Sequence, residues 1–259
     1  MSCSLKNNFI PFEEYMIGTR LKERLKDYPD IGYFKTEHLT VEEARKSKVI
    51  VTAHSDYPCD QILFDQYNHS DLKRWFARHA TIKHPKVEGV SVGLQEPVTP
   101  VLGNTMKIFE KSQEIKKNDN LVYLCWRDET FGGRKKVRGL YQDKSWARVD
   151  PVCREGTGFE RYLDGLYNHK FVLCPRGNGP ESIRMWESLV LRSIPIVERS
   201  QAMSYFEDLP ILWVDSWDDV LTESYLEEKY EEIINKEFDL GPLTVSYWAD
   251  KIIKASQES

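Results

Sequence analysis

The 259-residue chain has no apolar run approaching the ~20 residues that cross a bilayer, and its opening MSCSLKNNFIPFEEYM lacks the apolar core of a signal peptide. A soluble, cytoplasmic protein without a membrane span is therefore expected. Cysteine is sparse and odd in number: Cys3, Cys59, Cys125, Cys153 and Cys174 are scattered and show no zinc spacing. That pattern argues against a disulfide framework and for buried thiols in a reducing compartment. An excess of positive charge is also missing. The formal net charge of -5 excludes a broad nucleic-acid surface, and the one basic cluster, Arg134, Lys135, Lys136 and Arg138, reads as a solvated loop or an acceptor contact.

The common catalytic signatures are lacking too. There is no G-x-S-x-G elbow, Walker loop or H-E-x-x-H, and no internal repeat. Asp215, Asp218 and Asp219 could imitate a metal-binding D-x-D, but Asp218 and Asp219 are expected to cap a helix and supply its first-turn acids, so no metal is expected. His79 and His84, five apart, do not share a helix face and are read as a solvated loop. Trp75 and Phe76 are read as a helix face on the core, while Trp126, Trp146 and Trp217 remain candidates to line a cleft.

What is present concentrates in residues 171–199, FVLCPRGNGPESIRMWESLVLRSIPIVER. Phe171 to Cys174 suits a buried parallel strand, and Pro175, Gly177, Asn178, Gly179 and Pro180 stop it abruptly. A helix is predicted from Glu181, with Pro180 in its first position and Ile183, Trp186, Leu189 and Val190 as its apolar stripe. Arg184 and Glu187 then project about 60° apart beside that stripe. Ile194 to Val197 gives the next strand. Polar residues thus gather at the carboxyl end of a strand, where open α/β sheets bind ligands. Free N–H groups near Glu181 and Ser182, together with Arg176 and Arg184, suit a diphosphate. Glu187 would repel phosphate but can accept ribose hydroxyls. The bland reading is a surface ion pair between Arg184 and Glu187; two arginines, two glycines and a placed carboxylate favour a nucleotide site.

Beyond this segment, strands are predicted at Val122 to Trp126 and Ile211 to Val214, and helices near 158–168, 202–207 and 218–236. Alternation of this kind makes a parallel sheet. The N-terminal part reads as a helix at Glu13 to Lys26, a helix at Val41 to Ser47, a strand at Lys48 to Thr52, two helices between Cys59 and Ala80, and a strand near Val90 to Leu94. Gln95 to Asn120, with its prolines, glycine and KKNDN run, is the expected linker.

The string P-R-G-N-G-x-x-S-x-R-x-W-E-S-L, followed by I-P-I-V, resembles the nucleotide-binding half of the exostosin-like glycosyltransferases of glycosyltransferase family 47. KVIVTAHSD at 48–56, LKRWFARHA at 72–80, VSVGL at 90–94 and LPILWVDSWDDV at 209–220 agree more loosely, so the resemblance spans about residues 48–235. It implies an α/β protein of GT-B fold, with two Rossmann-like domains facing a central cleft that holds a UDP-sugar and usually no metal or other cofactor. By matching position, Arg184 would meet the diphosphate and Glu187 the ribose or uridine. The implied domains are a reduced, acceptor-side N-terminal one at 1–110, a nucleotide-sugar-binding one at 118–245, and a tail at 246–259 that packs back on the first. Family members in eukaryotes are usually anchored in the Golgi, so a naturally soluble relative, microbial or viral, is expected here.

Chemistry needs an opposite wall. His54 and Asp56 follow the strand Lys48 to Thr52, and Asp56 is the first choice for the base of an inverting transfer, with Asp60 a substitute. Ser55, Asp56 and Pro58 also read as an ordinary turn. Arg127, after the strand Val122 to Trp126, joins Arg176, Arg184, Ser182 and the backbone at Gly177 and Asn178 in the expected phosphate cradle. The expected function is transfer of a monosaccharide, xylose among the candidates, from a UDP-sugar donor to a hydroxyl of an oligosaccharide or glycoprotein acceptor. Two alternatives stand beside it: a carbohydrate- or nucleotide-binding module without turnover, and an enzyme of sugar-phosphate metabolism.

Overall fold

The structure, a computed structural model, describes residues 2–7, 9–95, 105–116, 120–152, 157–219 and 221–258. In chain order its elements are β1 (Ser2–Ser4), α1 (Gly18–Leu25), β2 (Ile31–Tyr33), α2 (Val41–Arg45), β3 (Val49–Thr52), α3 (Gln61–Tyr67), β4 (Arg74–Ala77), β5 (Val87–Gly89), α4 (Thr105–Ser112), β6 (Asn120–Leu124), α5 (Gly133–Tyr141), β7 (Ala147–Val149), α6 (Gly158–Tyr167), β8 (His169–Leu173), α7 (Ile183–Val190), β9 (Ile194–Glu198), β10 (Leu212–Val214), α8 (Glu223–Ile234), β11 (Glu237–Asp239) and α9 (Val245–Gln257), with short 3-10 turns between them.

Two parallel sheets organise the chain. The first has the order β2-β3-β4-β5 and the second β10-β9-β8-β6-β7; every neighbouring pair within them is parallel. The molecule is thus a two-lobed α/β protein with Rossmann-like sheets, the N-terminal sheet being the smaller. Alternate residues of a strand feed opposite layers. Val122, Leu124, Phe171 and Leu173 enter one core, whereas Tyr123, Val172 and Cys174 enter another that also takes Val49, Val51 and Phe76 from the first sheet. This second core joins the lobes. In the C-terminal sheet β6 lies between β7 and β8, so the strand order reverses there and opens a crevice at the carboxyl ends of β6 and β8.

Four expectations change. Residues 74–77 form a strand where a helix was expected: Trp75 packs on Phe64 and Tyr67 while its neighbour Phe76 enters the core between the lobes, a period of two that no helix produces. A short apolar run alone does not distinguish the two. The strand expected near Val90 lies at Val87–Gly89 instead. Within the expected linker, residues 105–112 form α4, which packs on α6 and α7 of the second lobe; residues 96–104 and 117–119 of it, and Cys153, lie outside the described residues. Finally, Asp218 and Asp219 do not start a helix. Thr222 caps α8, while Asp219 Oδ2 accepts from the backbone N–H groups of Asp215 and Ser216, both at 3.1 Å.

The last helix, α9, returns to the first lobe and packs on α1, β3 and β4. At the other end, β1 pairs antiparallel with β11. Both termini therefore tie the lobes together. Cys59, Cys125 and Cys174 are buried free thiols. Among the described residues no helix is long and apolar enough to cross a membrane.

Candidate functional site: an arginine-lined cleft between the lobes

A cleft of about 290 Å³ lies where the carboxyl ends of both sheets meet, at the low end of the range for small-ligand sites. Asp56, Arg78 and Gln95 line it from the first lobe; Trp126, Arg127, Arg134, Tyr162, the loop 177–179 and residues 181–184 and 187 line it from the second.

The floor is the loop after β8. Arg134, from α5, holds it: Nε donates to the Arg176 carbonyl at 2.7 Å, Nη2 to that of Pro175 at 3.2 Å and Nη1 to that of Arg127 at 3.2 Å. One guanidinium thus clamps the loops that follow β6 and β8. The basic cluster is therefore a helix and not a solvated loop, with Arg134 only 6% exposed. Burial, with Arg184 nearby, draws its pKa down to about 10, so a further anion would relieve a crowded positive region.

α7 begins at Ile183 with Ser182 as its N-cap, two residues later than expected, so Pro180 precedes the helix. The Ser182 side chain makes no capping bond; its hydroxyl is buried beside the Cys174 thiol. The positive end of the helix therefore faces the cleft unoccupied by its own cap. Glu181 is turned away, accepting from Val92 N at 3.0 Å and Trp186 Nε1 at 3.1 Å, with His79 Nδ1 3.5 Å off. It joins the lobes.

Arg184 carries the strongest signal. Its Nε and Nη1 are buried and have no hydrogen-bond partner, and its guanidinium lies 5.8 Å from the centre of the Trp126 ring. Leaving charged donors unpaired in a protein costs more than an ordinary lost hydrogen bond, which is tolerable where a ligand completes them. Three residues along, Glu187 is 4% exposed and accepts from the Tyr162 hydroxyl. Burial and the Glu187 charge push that phenol well above its usual pKa, so Tyr162 stays a donor and fixes the carboxylate. Buried guanidinium donors thus stand beside one anchored acceptor.

On the opposite wall Asp56 is 57% exposed; its Oδ1 is 3.5 Å from Arg78 Nη2 and its Oδ2 3.5 Å from Asn178 Nδ2. The turn is made by its neighbour, because Tyr57 N donates to Ser55 Oγ at 3.0 Å. This leaves the Asp56 carboxylate at the cleft. Asp60 instead caps α3, accepting from Leu63 N at 2.8 Å.

Not every expected residue arrives. His54 is not in the cleft lining: its Nδ1 is 3.0 Å from the Tyr33 hydroxyl, and a Cβ on Gly18 would fall 2.4 Å from its Nε2. Arg176 also lies outside it, stacked 4.7 Å over Phe131 with Nη2 donating to the Asn178 carbonyl at 3.1 Å. Arg127 is exposed at the rim. Of the tryptophans, Trp126 lines the cleft and Trp217 is buried in the core on the far side of the sheet, with Trp146 packed against it.

Arg78, Arg134, Tyr162 and His79 were missed. His79 is 1% exposed, in no sense a solvated loop residue, and a Cβ on Gly179 would fall 2.1 Å from its Nε2. Only glycine permits that approach. Reading RWFA as a strand would have placed Arg78 at its carboxyl end, in the crevice.

The fold and cleft define a two-lobed α/β protein with an anion-ready site between its lobes. No protein-family model matches the chain, and no curated protein matches its sequence.

Proposed function

We propose that the protein is a glycosyltransferase of GT-B type that moves a monosaccharide, with xylose among the candidates, from a UDP-sugar to a hydroxyl of a glycan or glycoprotein. The observation that carries this reading is the Arg184 guanidinium, whose buried Nε and Nη1 have no partner at the head of α7, facing a carboxylate on the other wall of one cleft. Arg184 and the helix head would hold the diphosphate, and Glu187, held by Tyr162, would accept ribose hydroxyls.

In the inverting reaction the bond from the sugar's anomeric carbon to the diphosphate oxygen breaks as the acceptor oxygen bonds to the opposite face of that carbon. Asp56 takes the acceptor proton. The negative charge that develops on the leaving UDP grows toward the arginines, whose stabilisation rises in the transition state.

The test is a screen of UDP-sugars for saturable binding, slow hydrolysis and transfer. Arg184→Ala should weaken UDP binding by roughly 1.5 to 3 kcal/mol, the scale of a charged hydrogen bond. Equal UDP affinity in the variant and the parent would refute the assignment.

A further inference from the structure

Arg78 stands at the carboxyl end of β4, and its position is fixed from both sides. Its backbone N–H donates to the Thr52 carbonyl at 2.9 Å. The next residue, His79, adopts φ 59°, a left-handed conformation that L residues avoid unless their surroundings impose it. The second lobe does so here, since the His79 ring packs against Gly179 and lies 3.5 Å from Glu181. The Arg78 side chain, 16% exposed, lines the cleft; its Nε is buried without a hydrogen-bond partner, and its ionic contact is the long 3.5 Å approach to Asp56.

The two walls therefore each present an incompletely satisfied arginine to one cavity. Arg184 lies at the head of α7, so a diphosphate anchored there projects its outer phosphoryl group away from the helix, toward the first lobe. One guanidinium cannot neutralise both phosphoryl groups.

We propose that Arg78 binds the outer phosphoryl group of the donor diphosphate, and that in the empty cleft it rests on Asp56, so that donor binding transfers the guanidinium from Asp56 to phosphate. This rests on the nucleotide-sugar reading above. Donor binding thereby leaves the Asp56 carboxylate free of its arginine contact and open to an acceptor hydroxyl. Asp56 and the outer phosphoryl group compete for Arg78, which makes their coupling measurable from either side.

The experiment is calorimetric titration of UDP and UMP into the full chain and its Arg78→Gln, Arg78→Lys and Asp56→Asn variants, with circular dichroism to check folding. The parent should bind UDP more tightly than UMP. Arg78→Gln should erase most of that preference, about tenfold or more for a charged hydrogen bond, while UMP affinity stays within about twofold; Arg78→Lys should restore part of it. Asp56→Asn should raise UDP affinity severalfold, leave UMP affinity unchanged, and gain nothing when combined with Arg78→Gln. An unaltered UDP to UMP ratio in Arg78→Gln, with transfer lost only toward acidic acceptors, would place Arg78 on the acceptor and overturn the proposal. Should Arg78→Gln fail to fold, an Asp56→Asn variant with no gain for UDP overturns it equally. Failure of the parent to bind either nucleotide would sink the nucleotide reading and this proposal together, whereas UDP binding without sugar transfer would sink the transferase alone.

Discussion

The two walls of the cleft are built differently. The second lobe's wall comes from one βαβ segment, with half-buried Arg184 and buried Glu187 four and seven residues beyond Pro180, clamped from below by Arg134. The first lobe's wall is assembled from loops after separate strands: Asp56 after β3, Arg78 after β4 and Gln95 after β5. Its carboxylate is more than half exposed, with both of its approaches at 3.5 Å. A wall of fixed donors facing a loosely held acid suits a site that grips one ligand firmly and meets a second in a more open place.

If the loose wall carries the chemistry and the rigid wall the binding, the largest effect belongs to the former. Asp56→Asn is expected to lower sugar transfer about 10²- to 10⁴-fold, the range of general base catalysis, without weakening UDP binding. Steady-state kinetics beside titration separates the two, and undiminished turnover would remove Asp56 from the mechanism.

The rigid wall should be the one whose loss unfolds the protein. Arg134→Met removes the donors to three carbonyls and should cost about 2 to 4 kcal/mol of stability by urea denaturation. A near-neutral result would mean that the loop holds itself.

The same lobe should respond to acid. His169 is buried in β8 with its Nδ1 2.6 Å from the Gly165 carbonyl, and burial lowers its pKa to about 4. The fold holds it neutral, so its contribution is complete above the unfolded value near 6.5 and is lost as pH falls toward about 4, amounting to no more than about 3 kcal/mol. Denaturation at pH 7 and 4.5 should show the loss, and His169→Asn should flatten it. The smallest effect falls in the first lobe. Asp60→Ala removes the cap of α3 and should cost about 1 kcal/mol, with turnover retained; lost turnover would return Asp60 to the candidates for the base.

This contrast also sets how far the sequence could be read. The second wall was legible because a strand, a glycine turn and a helix lie in one continuous run, so local rules place Arg184 and Glu187 together. Even there the helix start was displaced, since Glu181 is recruited by Val92 from outside the run and by Trp186 from within the helix. Arg134 was hidden because its partners are carbonyls of the loops after β6 and β8, and backbone oxygens leave no mark in a sequence. The first wall needed the strand order of a sheet. Reading RWFA as helix turned Arg78 and His79 into incidental residues, and nothing local to VTAHSD distinguishes Asp56, which reaches the cleft, from His54, which packs against α1.

The central claim is that the unpaired nitrogens of Arg184 await a diphosphate. A crystal structure of the protein soaked with UDP tests it directly. The account predicts phosphate oxygens within hydrogen-bond distance of Arg184 Nε and Nη1 and ribose hydroxyls on Glu187. A UDP bound elsewhere, or Arg184 still without a partner when UDP saturates the protein, would contradict it.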